Sequence, residues 1–310
     1  MRLWDFGRLH GSRIAIGEGI RESLGLVDGS QVFSTLFRYQ YNGSKSYEIV
    51  LSTFGPENYQ RLCQATFYMQ DAPGACASIA SFLGQRNIDI LNSVSLSMIS
   101  NVCMVWKMLI DLSYYGEEGE LRAEFDRLKA EGAPELIKVD TMEIEPSRIS
   151  DRYTKGVAPE SASVSTKAVR KPTRSPSLIT NGEFELPKDI LEMIDDLQDG
   201  QPFMMVGDTD SWVLSVTFLK PETVLMEIGF VIPDRPGAIN AVAQKLAGLN
   251  INLLTVYTRV LVYYEKMALI VVADVSRCPM GHEELREELE RFMGSLRGSY
   301  RMESFSKIEL

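Results

Sequence analysis

The chain of 310 residues is poor in the side chains that carry catalysis: it has two histidines, His10 and His282, and four cysteines, Cys63, Cys76, Cys103 and Cys278. None of the cysteines is spaced Cys-x-x-Cys, so zinc-binding and dithiol redox readings fail, and reduced core thiols in a cytoplasmic protein are expected. The Gly-x-x-x-x-Gly-Lys-Ser/Thr, Gly-x-Gly-x-x-Gly, Gly-x-Ser-x-Gly and His-Glu-x-x-His patterns are all missing. The acidic runs Glu117-Glu118-Gly119-Glu120 and Glu283-Glu284 fall at helix starts and solvent faces. No catalytic residue, metal or cofactor is therefore expected. No apolar run approaches the roughly 20 residues of a membrane span. Met1 to Gly7 lacks the apolar stretch and cleavage site of a signal peptide.

Positive charge is scarce as well. The net charge of −10 argues against a phosphate-dominated partner. Residues 146–181 are the exception, with Arg148, Arg152, Lys155, Lys167, Arg170, Lys171 and Arg174 against Asp151 and Glu160, a net of +5 that leaves the remainder at −15. Their Ser- and Pro-rich composition predicts a flexible basic linker between two halves, spanning roughly 30–36 Å if fully flexible.

What the chain does have is an internal repeat. Asp71-Ala72-Pro73-Gly74 returns as Asp234-Arg235-Pro236-Gly237, and Asn87-Ile88-Asp89-Ile90-Leu91 as Asn250-Ile251-Asn252-Leu253-Leu254, both at an offset of 163 without a gap. Around each copy the apolar spacing predicts strand, helix, strand, strand, helix, strand. The predicted elements run 65–69, 73–86, 88–98, 102–112, 117–130 and 136–144, then 224–231, 237–249, 251–260, 265–275, 282–292 and 300–308. That order is βαββαβ, the ferredoxin-like layout.

Residues 64–145 and 223–310 resemble ACT domains, the small-molecule sensing modules of amino-acid metabolism, on the strength of the doubled Asp-x-Pro-Gly and Asn-Ile-x-Ile/Leu motifs. Before each of them lies a smaller module. Residues 12–32 read strand, short helix, turn, strand, and Glu185-Leu186-Pro187 followed by Asp199-Gly200 repeats the pattern with one inserted residue. Both resemble the SpoVT/AbrB swapped hairpin, with Gly17 where the second copy keeps Pro187. That resemblance implies two hairpins, 1–60 and 182–220, interlocked in one chain as a pseudo-dimeric barrel. The expected fold class is thus α+β: two ferredoxin-like domains and two β-rich hairpin modules.

Proline suits the first turn of a helix and glycine admits close approach, while the following N–H groups favour an anion such as an amino-acid carboxylate. Ligand-binding candidates are Asp234, Arg235, Pro236, Gly237, Ala238, Ile239, Asn250, Ile251 and Asn252, with Asp71, Pro73, Gly74, Ala75, Asn87 and Asp89 in the first copy. Asp234 or Asp71 would face the ammonium. By the ACT resemblance the ligand lies between two modules, each giving one edge, and a homodimer through these domains is the matching assembly. The copies differ at Cys76 against Ile239 and at Asp89 against Asn252.

The expected role is a non-catalytic regulator that binds an amino acid or related metabolite and controls a partner enzyme. The SpoVT/AbrB resemblance implies an alternative, a ligand-responsive DNA-binding regulator using Arg8, Arg13 and Arg21 with the linker. Charge argues against nucleic acid: residues 182–220 carry nine acidic side chains against Lys188 and Lys220, whereas phosphate contacts must bear on both half-sites.

Overall fold

The computed structural model describes residues 2–41, 44–54, 61–147, 169–172, 176–209 and 211–310. A first module holds β1 (Arg2–Arg8), β2 (Arg13–Ala15), α1 (Glu18–Leu24), β3 (Gln31–Tyr41) and β4 (Ser44–Ser52). A first repeat follows, with β5 (Leu62–Gln70), α2 (Ala75–Gly84), β6 (Asp89–Ile99), β7 (Cys103–Asp111), α3 (Glu118–Ala130) and β8 (Val139–Pro146). After β9 (Val169–Pro172) come β10 (Ser177–Thr180), β11 (Glu183–Glu185), α4 (Lys188–Leu191), β12 (Pro202–Asp208) and β13 (Val213–Phe218). The second repeat holds β14 (Leu225–Ile232), α5 (Ala238–Gly248), β15 (Asn252–Val262), β16 (Lys266–Asp274), α6 (His282–Ser295) and β17 (Arg301–Lys307).

The chain divides into two compact units. One comprises Met1–Asp199 with Phe203–Phe218; the other comprises Gly200–Pro202 with Leu219–Leu310.

In the first unit the two small modules share one nine-stranded sheet, ordered β1-β12-β13-β4-β3-β10-β11-β2 with β9 on β3. Each module's first strand lies on the other's long strand: β1 beside β12, and β10 beside β3 through Ser177↔Val32. β2 and β11 pair antiparallel through Ile14↔Phe184. Those two residues are equivalent at the offset of 170 that also relates Gly17 to Pro187, so their pair lies on a pseudo-twofold axis. Bonds across it come in reciprocal pairs. Ile16 N–H donates to the Gly182 carbonyl (2.9 Å) and Leu186 N–H to that of Ser12 (2.8 Å). Gly182 N–H donates to Asp28 Oδ1 (3.0 Å) and Gly11 N–H to Asp199 Oδ1 (2.7 Å).

A single core, including Ile14, Ile20, Leu36, Ile49, Phe184, Ile190, Phe203 and Val216, serves both modules. A lone hairpin could not bury such a face. The acidity of the second module is partly spent here, since Glu185 accepts from the Ser12 hydroxyl and Asp195 pairs with Lys45.

The expected linker 146–181 needs correcting at both ends. Pro146 ends β8, while 169–172 and 177–180 are strands pairing with β3. Ser177-Leu178-Ile179-Thr180 alternates, and Ile179 is fully buried, so its period-2 pattern outweighs the Pro- and Ser-rich surroundings. Residues 148–168 and 173–175 lie outside the described residues.

Gly17 has a specific cause. It caps α1 at φ −55°, ψ 140°, and Pro187 caps α4 at φ −58°, ψ 140°, so the backbone there suits proline in both copies. A Cβ on Gly17, however, would lie 1.8 Å from Asp5 Oδ2 on β1. Gly17→Pro is therefore expected to destabilise the chain by about 1–3 kcal/mol through overpacking. Asp5→Ala in the same chain should recover most of that loss, read by urea denaturation of the double-mutant cycle. Equal losses with and without Asp5 would contradict the steric cause.

Each larger repeat is a four-stranded antiparallel sheet, ordered β6-β7-β5-β8 and β15-β16-β14-β17. That connectivity realises the βαββαβ layout, giving the chain a mixed α/β fold. Ile79, Phe82, Leu121 and Phe125 cover the first sheet, and Val242, Leu246, Leu285 and Leu289 the second. Bulges at Ile90/Asn92 and Ser97/Ile99 recur at Leu253/Thr255 and Val260/Val262, again 163 residues apart. An apolar cluster of Phe37, Val50 and Val213 with Leu62 and Leu109, flanked by Leu91 and Trp212, joins the first repeat to the hairpin sheet.

Candidate functional site

The repeated tetrapeptide is a type II turn. Pro73 and Pro236 precede glycines at φ 88°, ψ −5° and φ 86°, ψ −11°, and Ala75 and Ala238 N–H close back on the Ala72 and Arg235 carbonyls at 3.1 and 3.3 Å. Proline sets the first central position and glycine supplies the positive φ of the second. Both prolines thus stand one residue before the helix cap rather than in the first helical turn.

The aspartates are clasps. Asp71 Oδ2 accepts from the Ser97 hydroxyl and the Asn101 N–H, both at 2.8 Å, and Asp234 Oδ2 accepts from Tyr264 N–H at 2.8 Å. Asn101 and Tyr264 are equivalent and left-handed, at φ 60° and 62°. Each carboxylate thus commits an oxygen to the turn of the following hairpin. This corrects the expectation that it faces a ligand's ammonium.

The Ser97 hydroxyl, then the Asn101 amide, hold the Asp71 carboxyl below its ordinary range. A carboxyl depressed in the folded state contributes above its unfolded pKa, near 3.9 for aspartate, and that contribution is lost as pH falls through the lower folded pKa. The Asn101 amide resonance should therefore titrate with a midpoint below that value and stop titrating in Asp71→Asn. A midpoint at or above it would contradict the clasp.

Asn87 and Asn250, at φ 55° and 57°, end their helices. The next N–H groups, of Ile88 and Ile251, return to the Leu83 and Leu246 carbonyls at 3.1 Å, a left-handed cap that asparagine tolerates. Ala75, Ala238 and Ile251 are buried core residues. Pro73, Gly74, Asn87, Asp89, Arg235, Pro236, Gly237, Ile239, Asn250 and Asn252 are exposed.

The structure does not bring all of these together within one repeat. Gly237 and Asn250 cap opposite ends of α5, whose 11 residues span about 16 Å; Gly74 and Asn87 are separated in the same way by α2. A site using both ends needs a second repeat to supply one of them.

The two corners differ. A Cβ on Gly237 would meet nothing within 4 Å. Among the described residues no acceptor meets the N–H groups of Gly237, Ile239 and Asn240, and no donor meets the Pro236 carbonyl. Arg235 turns away to donate to the Arg297 carbonyl at 3.0 Å. In the first copy a Cβ on Gly74 would lie 3.5 Å from Lys138 Nζ. Sequence reasoning missed Lys138, which lies 65 residues from the Pro73 carbonyl it bonds.

The arginines of the DNA-binding alternative are dispersed. Arg13 lines a cleft of about 700 Å³ with Glu183 and Glu185. Arg21 lines another of about 580 Å³ with Glu18, Glu22 and Asp28, its guanidinium against Gly182. Arg8 is exposed on β1. The linker's Arg148, Arg152, Lys155, Lys167 and Arg174 lie outside the described residues.

Burial, then Glu118 and Asp111, push the Cys63 thiol up to about 12, away from nucleophilic use. Among the described residues no group of three or more His, Cys, Asp or Glu side chains could hold a metal, and no helix is long and apolar enough to cross a membrane.

No family model matches the chain, and no curated protein does. Among solved structures, an unknown protein from Galdieria sulphuraria is 11% identical, covering 80% of this chain and 99% of its own, at a TM-score of 0.24. An acetolactate synthase small subunit from Thermotoga maritima is 10% identical, covering 80% and 92%, at 0.21. Aspartokinase alpha and beta subunits are 8% identical, covering 74% and 92%, at 0.21. Likeness at this level carries no argument about function.

Proposed function

We propose that this chain is a non-catalytic regulator that senses an amino acid or related small metabolite at the corners of its βαββαβ repeats and controls a partner enzyme. The open corner at Gly237 carries the reading: unpaired amide hydrogens face free space beside a bare carbonyl. A carboxylate suits those amides at the start of a helix, and an ammonium suits the carbonyl. Asn250 and Asn252, or Asn87 and Asp89, from a facing repeat would complete the pocket, because the geometry of a single repeat keeps the two ends apart. The facing repeat comes from the same chain or from a second copy. Ligand then acts through differential affinity for two arrangements of the repeats.

The resemblance to ACT domains supports the same division of the chain, with two sensing repeats and a hairpin scaffold that resembles the SpoVT/AbrB fold. The dispersal of Arg8, Arg13 and Arg21 among carboxylates favours an enzyme over DNA as the target.

A thermal-denaturation screen of the full chain against the twenty amino acids tests the reading. An amino acid at 100 times its dissociation constant should stabilise by about 2.7 kcal/mol. A chain indifferent to all twenty would contradict it.

A further inference from the structure

We propose that the repeats differ in ligand competence by construction: Lys138 fills the first corner with an internal ammonium, Pro233 leaves the second free, and one amino-acid-like ligand binds per chain. This inference rests on the corner reading above and adds to it which copy binds and why.

At the first corner Lys138 Nζ donates to the Pro73 carbonyl at 2.6 Å. That is a charge-assisted bond of the kind a ligand's ammonium would make there. The lysine is held in place through its backbone, since Gln70 N–H donates to the Lys138 carbonyl at 2.8 Å.

The second copy cannot repeat this arrangement. At the offset of 163 the residue matching Gln70 is Pro233, which has no N–H to donate. The chain entering the closing strand takes another path there. β8 shifts register against β5 at Tyr68/Met69, whereas β17 shifts against β14 at Gly229/Phe230, which is not the equivalent place. Gly298, at φ 115°, passes so near that a Cβ on it would lie 3.3 Å from Pro233 Cγ. The residue matching Lys138 is also a cation, Arg301, but its Nε donates to Glu303 Oε1 at 3.1 Å. One sequence difference, glutamine against proline at the end of the first strand of the repeat, thus accompanies a filled corner in one copy and an open corner in the other. The first repeat shares an apolar cluster with the hairpin sheet, so its use as a scaffold fits its filled corner.

Glycine is the probe, because it has the two charged groups and no side chain. The full chain and Lys138→Met, both ¹⁵N-labelled, are titrated with glycine while the amides of Gly74 and Cys76 and those of Gly237 and Ile239 are followed. In the parent the second corner should respond, with the first silent or at least about tenfold weaker. In Lys138→Met the first corner should respond too, with a dissociation constant within about tenfold of the second. Equal response of both corners in the parent overturns the proposal and leaves the corner reading standing. So does a first corner that stays silent in the variant while the second responds. Glycine moving neither corner in either protein overturns the corner reading, and this inference with it.

Discussion

Replacing Phe184 by alanine is expected to cost about 3–5 kcal/mol and to unfold both hairpin modules in one step. Phe184 is 1% exposed and pairs with Ile14, 0% exposed, across the pseudo-twofold axis. Neither module has a core of its own, because Leu9, Ile20, Leu36 and Ile49 of the first pack in the same cluster as Ile179, Ile190, Phe203 and Val216 of the second. A cavity at that contact removes burial from both at once. The loss is comparable with the whole stability of an ordinary domain, about 5–15 kcal/mol. Trp212 packs against this core, so its fluorescence reports the transition in urea. Amide exchange assigns the extent: residues 13–51 and 177–218 should lose protection together. Protection kept in the first module while the second exchanges freely would contradict a shared core.

Gly237→Val should abolish amino-acid-dependent stabilisation while leaving the chain folded. Nothing lies within 4 Å of the added Cβ, so no packing is disturbed. The cost is conformational: φ 86° strains a β-branched residue by about 1–3 kcal/mol. The same side chain projects into the space where a carboxylate would approach the amides. The variant should therefore start somewhat less stable and gain nothing from the amino acid that stabilises the parent by about 2.7 kcal/mol at 100 times its dissociation constant. Denaturation with and without that amino acid separates the two effects. A variant that keeps the full increment would place the pocket elsewhere. Gly74→Val carries the same strain, at φ 88°, and should leave the increment intact if the first corner is already filled.

Much of this fold is written locally. Pro-Gly at 73–74 and 236–237 specifies a type II turn within four residues, and Asn87 and Asn250 mark helix ends by tolerating a left-handed backbone. Alternating strands and helices with apolar residues three and four apart then place the remaining elements. The roles that escaped detection depend on residues distant in sequence. Asp71 and Asp234 find their partners 26 and 30 residues downstream, in a hairpin turn whose closeness only the folded sheet reveals. Lys138 reaches Pro73 across 65 residues. β10 was obscured by its composition, because four residues of strand sit within a Pro- and Ser-rich stretch and the strand they pair with lies in the other half of the chain. The requirement for glycine at 17 comes from Asp5 on a neighbouring strand and leaves no local trace.

Hydrogen exchange at the Gly237, Ile239 and Asn240 amides, with and without the amino acid that stabilises the chain, bears most directly on the proposed sensing role. A carboxylate seated on the second corner should slow exchange there and leave Gly74 and Cys76 unchanged. Stabilisation without any slowing at these three amides would show that the ligand binds somewhere else.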